Sequence, residues 1–203
     1  MYKLYYLPGS CSLATLTIIH ELGLPVEIVN KNDAPEFATI NPVGTVPVLI
    51  DQDEVLREGA AIVIHLLRQN DSPMLPKSGP ARRRAIQSIM FANATMHPAY
   101  SKLFFISRQM SDGPAKDEAL KAAADGINAL WKVVDDQVSD KLFLDGGQVS
   151  AADIMLTVYS RWGAFHPVDI QIGGNAQRMI DTVLAMPTFQ RALADEAAQS
   201  AAA

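Results

Sequence analysis

The chain has a single cysteine, Cys11, and it is the first place where chemistry can be read. It follows Tyr6-Leu-Pro-Gly-Ser10, at a turn between a short β-type run and the start of a helix. Unpaired N–H groups and the helix dipole stabilise an anion at such a start, so a thiol there is expected to be partly ionised near neutral pH. The alternative is a small buried cysteine without chemistry, a common situation for free cysteines.

Three other places invite the same question. Asn41-Pro-Val-Gly-Thr-Val-Pro47 sets a proline at the very start of a strand, where its missing N–H is tolerated. A cis Val46-Pro47 bond would turn the Val46 backbone outward and leave its N–H and C=O free to pair with an extended peptide; the commoner alternative is a trans turn. Glu58-Gly59-Ala60 opens another helix, where backbone N–H groups can hold a ligand carboxylate and Glu58 can pair with an ammonium group. Glu58 can equally be a first-turn acid that complements the helix dipole. His97-Pro98 falls inside a long helical stretch, where proline removes a hydrogen bond and kinks the chain. An imidazole beside a kink can donate to a thiolate in a cleft, or can be structural. Ser150-Ala-Ala-Asp153 has the form of a capping box and reads as structural. His20, His65, His97 and His166 are widely spaced and lack partners at a ligand spacing, so no metal is expected.

The elements that must hold these residues alternate over the first eighty positions. Tyr2–Leu7 reads as a strand, Ser12–Leu22 as a helix with Leu13, Leu16, Ile19 and Leu22 at helical spacing, and Val26–Val29 as a strand. Pro35–Ile40 is a short helix candidate, Pro47–Ile50 and Glu54–Arg57 a hairpin, and Glu58–Gln69 a helix. The order β-α-β-α-β-β-α predicts a mixed four-stranded sheet with one right-handed parallel crossover. Asn70–Pro80 is rich in proline and serine and reads as a linker. Beyond it strand signals almost vanish, and helices are predicted at about 81–111, 115–139, 151–165, 175–185 and 187–198, with an Ala-rich tail that frays at its end. The expected division is an α/β domain over 1–76 and an all-helical domain over 81–203.

A net charge of −5 argues against nucleic acid and anionic membrane surfaces as partners. Arg82-Arg83-Arg84 reads as a solvated helix face. A lone cysteine permits no internal disulfide and favours a reducing compartment. With no signal-like start and no apolar run near the ~20 residues that span a bilayer, a soluble cytoplasmic protein is expected.

Taken together, the segments Tyr5–Ala14, Glu21–Pro25, Asn41–Leu49, Arg57–Ile62, Met96–Tyr100 and Phe143–Asp153 resemble, in order and spacing, the cytosolic glutathione transferases, most of all the bacterial beta class. The resemblance implies a thioredoxin-like N-terminal domain, an all-α C-terminal domain, a homodimer and a detoxifying transferase that uses glutathione as co-substrate with a small hydrophobic electrophile. It also implies that Val46-Pro47 is a cis-proline pairing with the cysteinyl backbone of glutathione. Glu58 and Gly59 would hold the γ-glutamyl end and Lys31 the glycyl carboxylate. Cys11 and His97 would flank the sulfur, with Ser10 and Tyr6 next in line for that task. A Cys11–glutathione mixed disulfide, and so thiol–disulfide exchange, is also implied as feasible. Tyr100, Phe104 and Phe165 are the residues expected to meet the electrophile. Gly59 stands where many relatives carry serine, and Pro98 where a lysine often follows the histidine. Two other readings stay open: a zeta-like glutathione-dependent isomerase, from Gly9-Ser-Cys-Ser12, and a non-catalytic transferase-like interaction module.

Overall fold

The computed structural model describes residues 1–202; the fraying expected at the last residue lies outside them. The chain forms two compact units. One comprises Met1–Ile86 with the chain from Leu184 onward, the other Gln87–Val183.

In the first unit, β1 (Tyr2–Tyr6), α1 (Ser12–Glu21) and β2 (Val26–Asn30) form the parallel crossover, with Tyr2 opposite Val26 and Tyr6 opposite Asn30. After a 3₁₀ turn (Lys31–Asp33) and the single-turn α2 (Phe37–Ile40), β3 (Val48–Asp51) pairs antiparallel to β1, and β4 (Glu54–Arg57) antiparallel to β3. The strand order is β2-β1-β3-β4, the mixed sheet expected. Because β1 is central, both its faces are buried. Leu4 and Tyr6 are fully enclosed on one side, while Tyr5 packs with Ala34, Phe37 and Val48 on the other.

The register brings one end of every strand together. Tyr6 closes β1 opposite Asn30, the end of β2; Tyr5 lies opposite Val48, the start of β3; and Val48 lies opposite Arg57, the end of β4. The segments that follow or precede these ends are the turn 7–11, Lys31, the 44–47 approach to β3, and Glu58 before α3 (Gly59–Gln69). Sheet pairing alone thus gathers four chain-distant segments at one edge.

The domain boundary departs from the one expected. The final helix, α9 (Pro187–Ala202), belongs with the first unit, where it packs on α1. The reason is visible in α1. Every residue from Ser12 to His20 is buried, not only the stripe of Leu13, Leu16 and Ile19. A helix apolar all round needs cover on both sides, and α9 supplies the second side through Phe189 and Ala192. His20 Nε2–Asp195 Oδ2 at 2.8 Å and Thr188 Oγ1 donating to Glu21 Oε2 at 2.7 Å fix the pair at its edges. The 70–78 segment is also less free than a linker: Ser72 and Leu75 are buried and Ser72 N–H donates to the Leu67 carbonyl.

The second unit is helical, and α4 (Gly79–Phe91), which begins in the first unit, continues into it from Gln87. The long stretch predicted over 81–111 is α4 and α5 (His97–Gln109) joined by a π-helical turn at Ala92–Met96. Pro98 offers no N–H to the ladder, and the turn before it widens, with His97 N–H donating to the Ala92 carbonyl five residues back. In α6 (Pro114–Gln137), the indole N–H of buried Trp131 donates to the Tyr100 hydroxyl at 2.8 Å. α7 (Ala151–Ser160) begins with the expected capping box. Asp153 accepts from Ser150 N–H at 2.8 Å and from Leu144 N–H at 3.0 Å, and burial pushes its carboxyl up to about 6. A 3₁₀ turn (Arg161–Phe165) and α8 (Gly174–Leu184) complete the order.

Candidate active site

Cys11 is the N-cap of α1, and its thiol donates to the Val46 carbonyl at 3.3 Å. The Val46–Pro47 bond is cis. No described residue pairs with the Val46 N–H. The turn carrying Cys11 is clipped from within: Ser10 Oγ and Ser12 Oγ lie 2.6 Å apart, and Ser12 Oγ lies within hydrogen-bonding reach of both the N–H and the carbonyl of Leu7.

The expected ionisation of Cys11 is overturned. Burial pushes the thiol up to about 11, and the negative Glu58 adds to the rise. The N–H groups of Cys11 and Ser12 do act on the sulfur and pull the other way, but they are outweighed. In the free protein Cys11 is therefore a neutral thiol and a hydrogen-bond donor.

Two other expectations shift. Tyr6 is fully enclosed in the core and its hydroxyl has no hydrogen-bond partner among the described residues. Burial, then the charges of Glu196 and Asp33, raise that hydroxyl above its ordinary value. A side chain so enclosed does not reach a ligand. Ser10 directs its hydroxyl to Ser12, so its visible work is shaping the turn.

Lys31 leans over the Phe37 ring, 6.0 Å from its centre, and donates to the Gly44 carbonyl at 2.8 Å, which holds a cation beside the approach to Val46. Glu58 is exposed and has φ 69°, ψ 115°, a conformation that costs a residue with a Cβ about 1–3 kcal/mol. It places an acid at the start of α3, where the first-turn N–H groups of Gly59 and Ala60 have no partner among the described residues. Strain concentrated there is the signature of a position over-determined for a task.

His97 belongs to the second unit. Its ring stands edge-on to Tyr159 (5.2 Å) and Trp162 (5.1 Å), and burial holds it below its ordinary value, hence neutral. Tyr100, expected to meet an electrophile, is instead fully buried and bonded to Trp131, its hydroxyl pushed up to about 12 by burial. Phe104 is half-buried against Trp162 and His166, and Phe165 is largely exposed. Among the described residues no group of three or more His, Cys, Asp or Glu could hold a metal, and no helix is long and apolar enough to cross a membrane.

Sequence reasoning missed Gly44, the side-chain hydroxyl of Ser12, and Glu196, whose carboxylate accepts from Gly9 N–H at 3.1 Å. Glu196 had a signal. It lies on one helical face with Phe189 and Ala192, an acid at a core position.

The mixed sheet in the order β2-β1-β3-β4, with loops that meet at a cis-proline and helices after it, is a thioredoxin-like arrangement. Comparison with known proteins narrows it. Residues 1–68 match the family described as "Glutathione S-transferase, N-terminal domain". The glutathione S-transferase GST-4.5 of Xanthomonas campestris pv. campestris is 30% identical over 98% of this chain and 96% of its own length. A sphingomonad glutathione S-transferase solved in complex with glutathione is similar at 29% identity and TM-score 0.83, over 96% of this chain and 98% of that one. A bacterial beta-class glutathione S-transferase from Sphingomonas chungbukensis is similar at 28% and TM-score 0.82, over 96% and 98%. The chain belongs to the glutathione S-transferase family.

Proposed function

We propose that this enzyme binds reduced glutathione along the 44–47 edge and activates its thiol for attack on small hydrophobic electrophiles. The observation that carries the reading is the Cys11 thiol 3.3 Å from the Val46 carbonyl, beside a Val46 N–H without a described partner. An extended peptide pairing with Val46 would lie with its sulfur at the start of α1. The N–H groups that already pull on the Cys11 sulfur would act there on a second sulfur. Cys11, holding its proton, would serve as donor to that thiolate. Lys31 suits the glycyl carboxylate, and Glu58 with the Gly59 N–H the charged γ-glutamyl end. His97, as a neutral imidazole, retains the donor role that the family resemblance gives it. A homodimer in the cytoplasm is part of the same proposal.

Thiol–disulfide exchange is the lesser reading on physical grounds. Attack on glutathione disulfide needs the Cys11 thiolate, and a thiol near 11 is ionised in only about one molecule in 10⁴ at pH 7. The test is turnover of glutathione with an activated aryl chloride. The C–S bond forms, chloride leaves and the thiol proton passes to solvent. Cys11→Ala and His97→Ala should each lower turnover about tenfold or more, the loss expected for one hydrogen bond to a charged sulfur. Wild-type protein without any glutathione-dependent turnover would defeat the proposal.

A further inference from the structure

The turn that presents Cys11 is held from a chain distance of 187 residues. Glu196 on α9 is buried, with a relative exposure of 6%, and its Oε2 accepts the Gly9 N–H at 3.1 Å. Gly9 has φ 73° and sits between Pro8 and Ser10, so its N–H lies outside any strand or helix ladder. A buried carboxylate facing a backbone N–H makes a charge-assisted bond of the stronger kind, and leaving either group unmatched is costly. α9 is itself fixed to α1 by the apolar contact of Phe189 and Ala192 and by the His20–Asp195 and Thr188–Glu21 links. The carboxylate is therefore presented by a rigid element, not by a mobile tail.

We infer that Glu196 is a positioning residue. It clamps the Pro8–Cys11 turn from α9 and so sets where the Cys11 thiol, and the thiol of bound glutathione, stand relative to Val46. Two devices divide the work on the turn: Ser10 and Ser12 tie it to Leu7 from within, and Glu196 ties it to the last helix from outside. This explains why an acid occupies a core position of α9. The catalytic meaning of the clamp rests on the transferase reading, but the clamp itself does not.

Because the chain has one cysteine, alkylation by iodoacetamide, followed as intact mass without glutathione, reports Cys11 alone. Released from the clamp, the turn should let the thiol leave Val46 and meet water, so Glu196→Ala should raise the alkylation rate at pH 8 about tenfold or more. Glu196→Gln keeps an acceptor for Gly9 and should stay within about twofold of wild type. Glu196→Met, similar in volume but unable to accept, carries the same prediction as alanine should that variant not fold. Thr188→Val loosens α9 without touching the turn and should leave the rate unchanged. Wild-type rates in the alanine or methionine variant, or an equal rise in Thr188→Val, would overturn the clamp. A parallel titration with reduced glutathione separates the two claims: a wild type that does not bind glutathione overturns the transferase reading, while the alkylation series still decides the clamp.

Discussion

Raising the pH is the sharpest perturbation of the Cys11 setting. Burial moves the thiol from 9.0 to about 11, two pH units, so at any pH below 9 the thiolate is about a hundredfold scarcer than at an ordinary cysteine. At pH 8 that is about one thiolate per thousand molecules, against about one in ten for the ordinary thiol. Iodoacetamide reacts with the thiolate, so the alkylation rate should climb through pH 9 and 10 and level only near 11. The same shift has a consequence for stability. The folded chain keeps a proton that the unfolded chain releases, so stability is undiminished below about pH 9 and falls as pH rises toward 11. The total is on the order of 3 kcal/mol, about two thirds of it lost by pH 10.5, and Cys11→Ala should lack that component. Denaturant melts of both proteins at pH 8 and 10.5 measure it. An alkylation profile that levels by pH 8 would mean that the N–H groups of Cys11 and Ser12 outweigh burial, contrary to a thiol raised to about 11.

Other consequences follow from the packing. Asp153→Ala strips an acceptor from the buried Ser150 and Leu144 N–H groups, at about 1–3 kcal/mol each, so urea denaturation should show a loss of about 2–6 kcal/mol. At Gly173 a Cβ would collide with the Asp135 carboxylate, and Asp135 accepts from Ala176 N–H at the start of α8. Gly173→Ala should therefore cost about 1–3 kcal/mol by displacing that cap, read as a lowered thermal midpoint. His20, His97 and His166 are all held below 6.5 by burial, so below that pH the unfolded chain binds protons that the folded chain refuses. These groups lower the thermal midpoint as pH drops from about 6.5 to 5, while Asp153, raised to about 6, works in the opposite direction. The fall should therefore be steeper in Asp153→Asn than in wild type, and equal slopes in the two proteins would contradict it.

Local order was readable where local rules decide it. Turn punctuation at Pro8-Gly9, the proline at the head of β3 and the capping box at Ser150 each mark an element boundary that the fold observes. The contest at Cys11 was not readable, because donors at a helix start follow from sequence position whereas burial of the sulfur depends on Val46, 35 residues away. Tyr6 and Tyr100 were misplaced for a related reason. A tyrosine in an apolar run is equally compatible with a core and a pocket, and only the packing of other segments decides. The return of α9 to α1 is hidden because the stripe Leu13, Leu16 and Ile19 asks for cover on one side only. Ala14, Thr15 and Ile18 on its other faces are the signal for a second covering element. His97 was marked by Pro98, but its neutral state depends on burial, and its rings Tyr159 and Trp162 lie some sixty residues on.

The central claim is that the edge formed by Lys31, Val46 and Glu58 receives glutathione. Isothermal titration with reduced glutathione, on wild type and on Glu58→Gln, tests it most directly. Saturable binding at one site per chain is expected, weakened about tenfold when the Glu58 charge is removed, the effect of losing one partly solvated charge-assisted contact. Absence of binding to the wild type, or binding indifferent to Glu58, would contradict it.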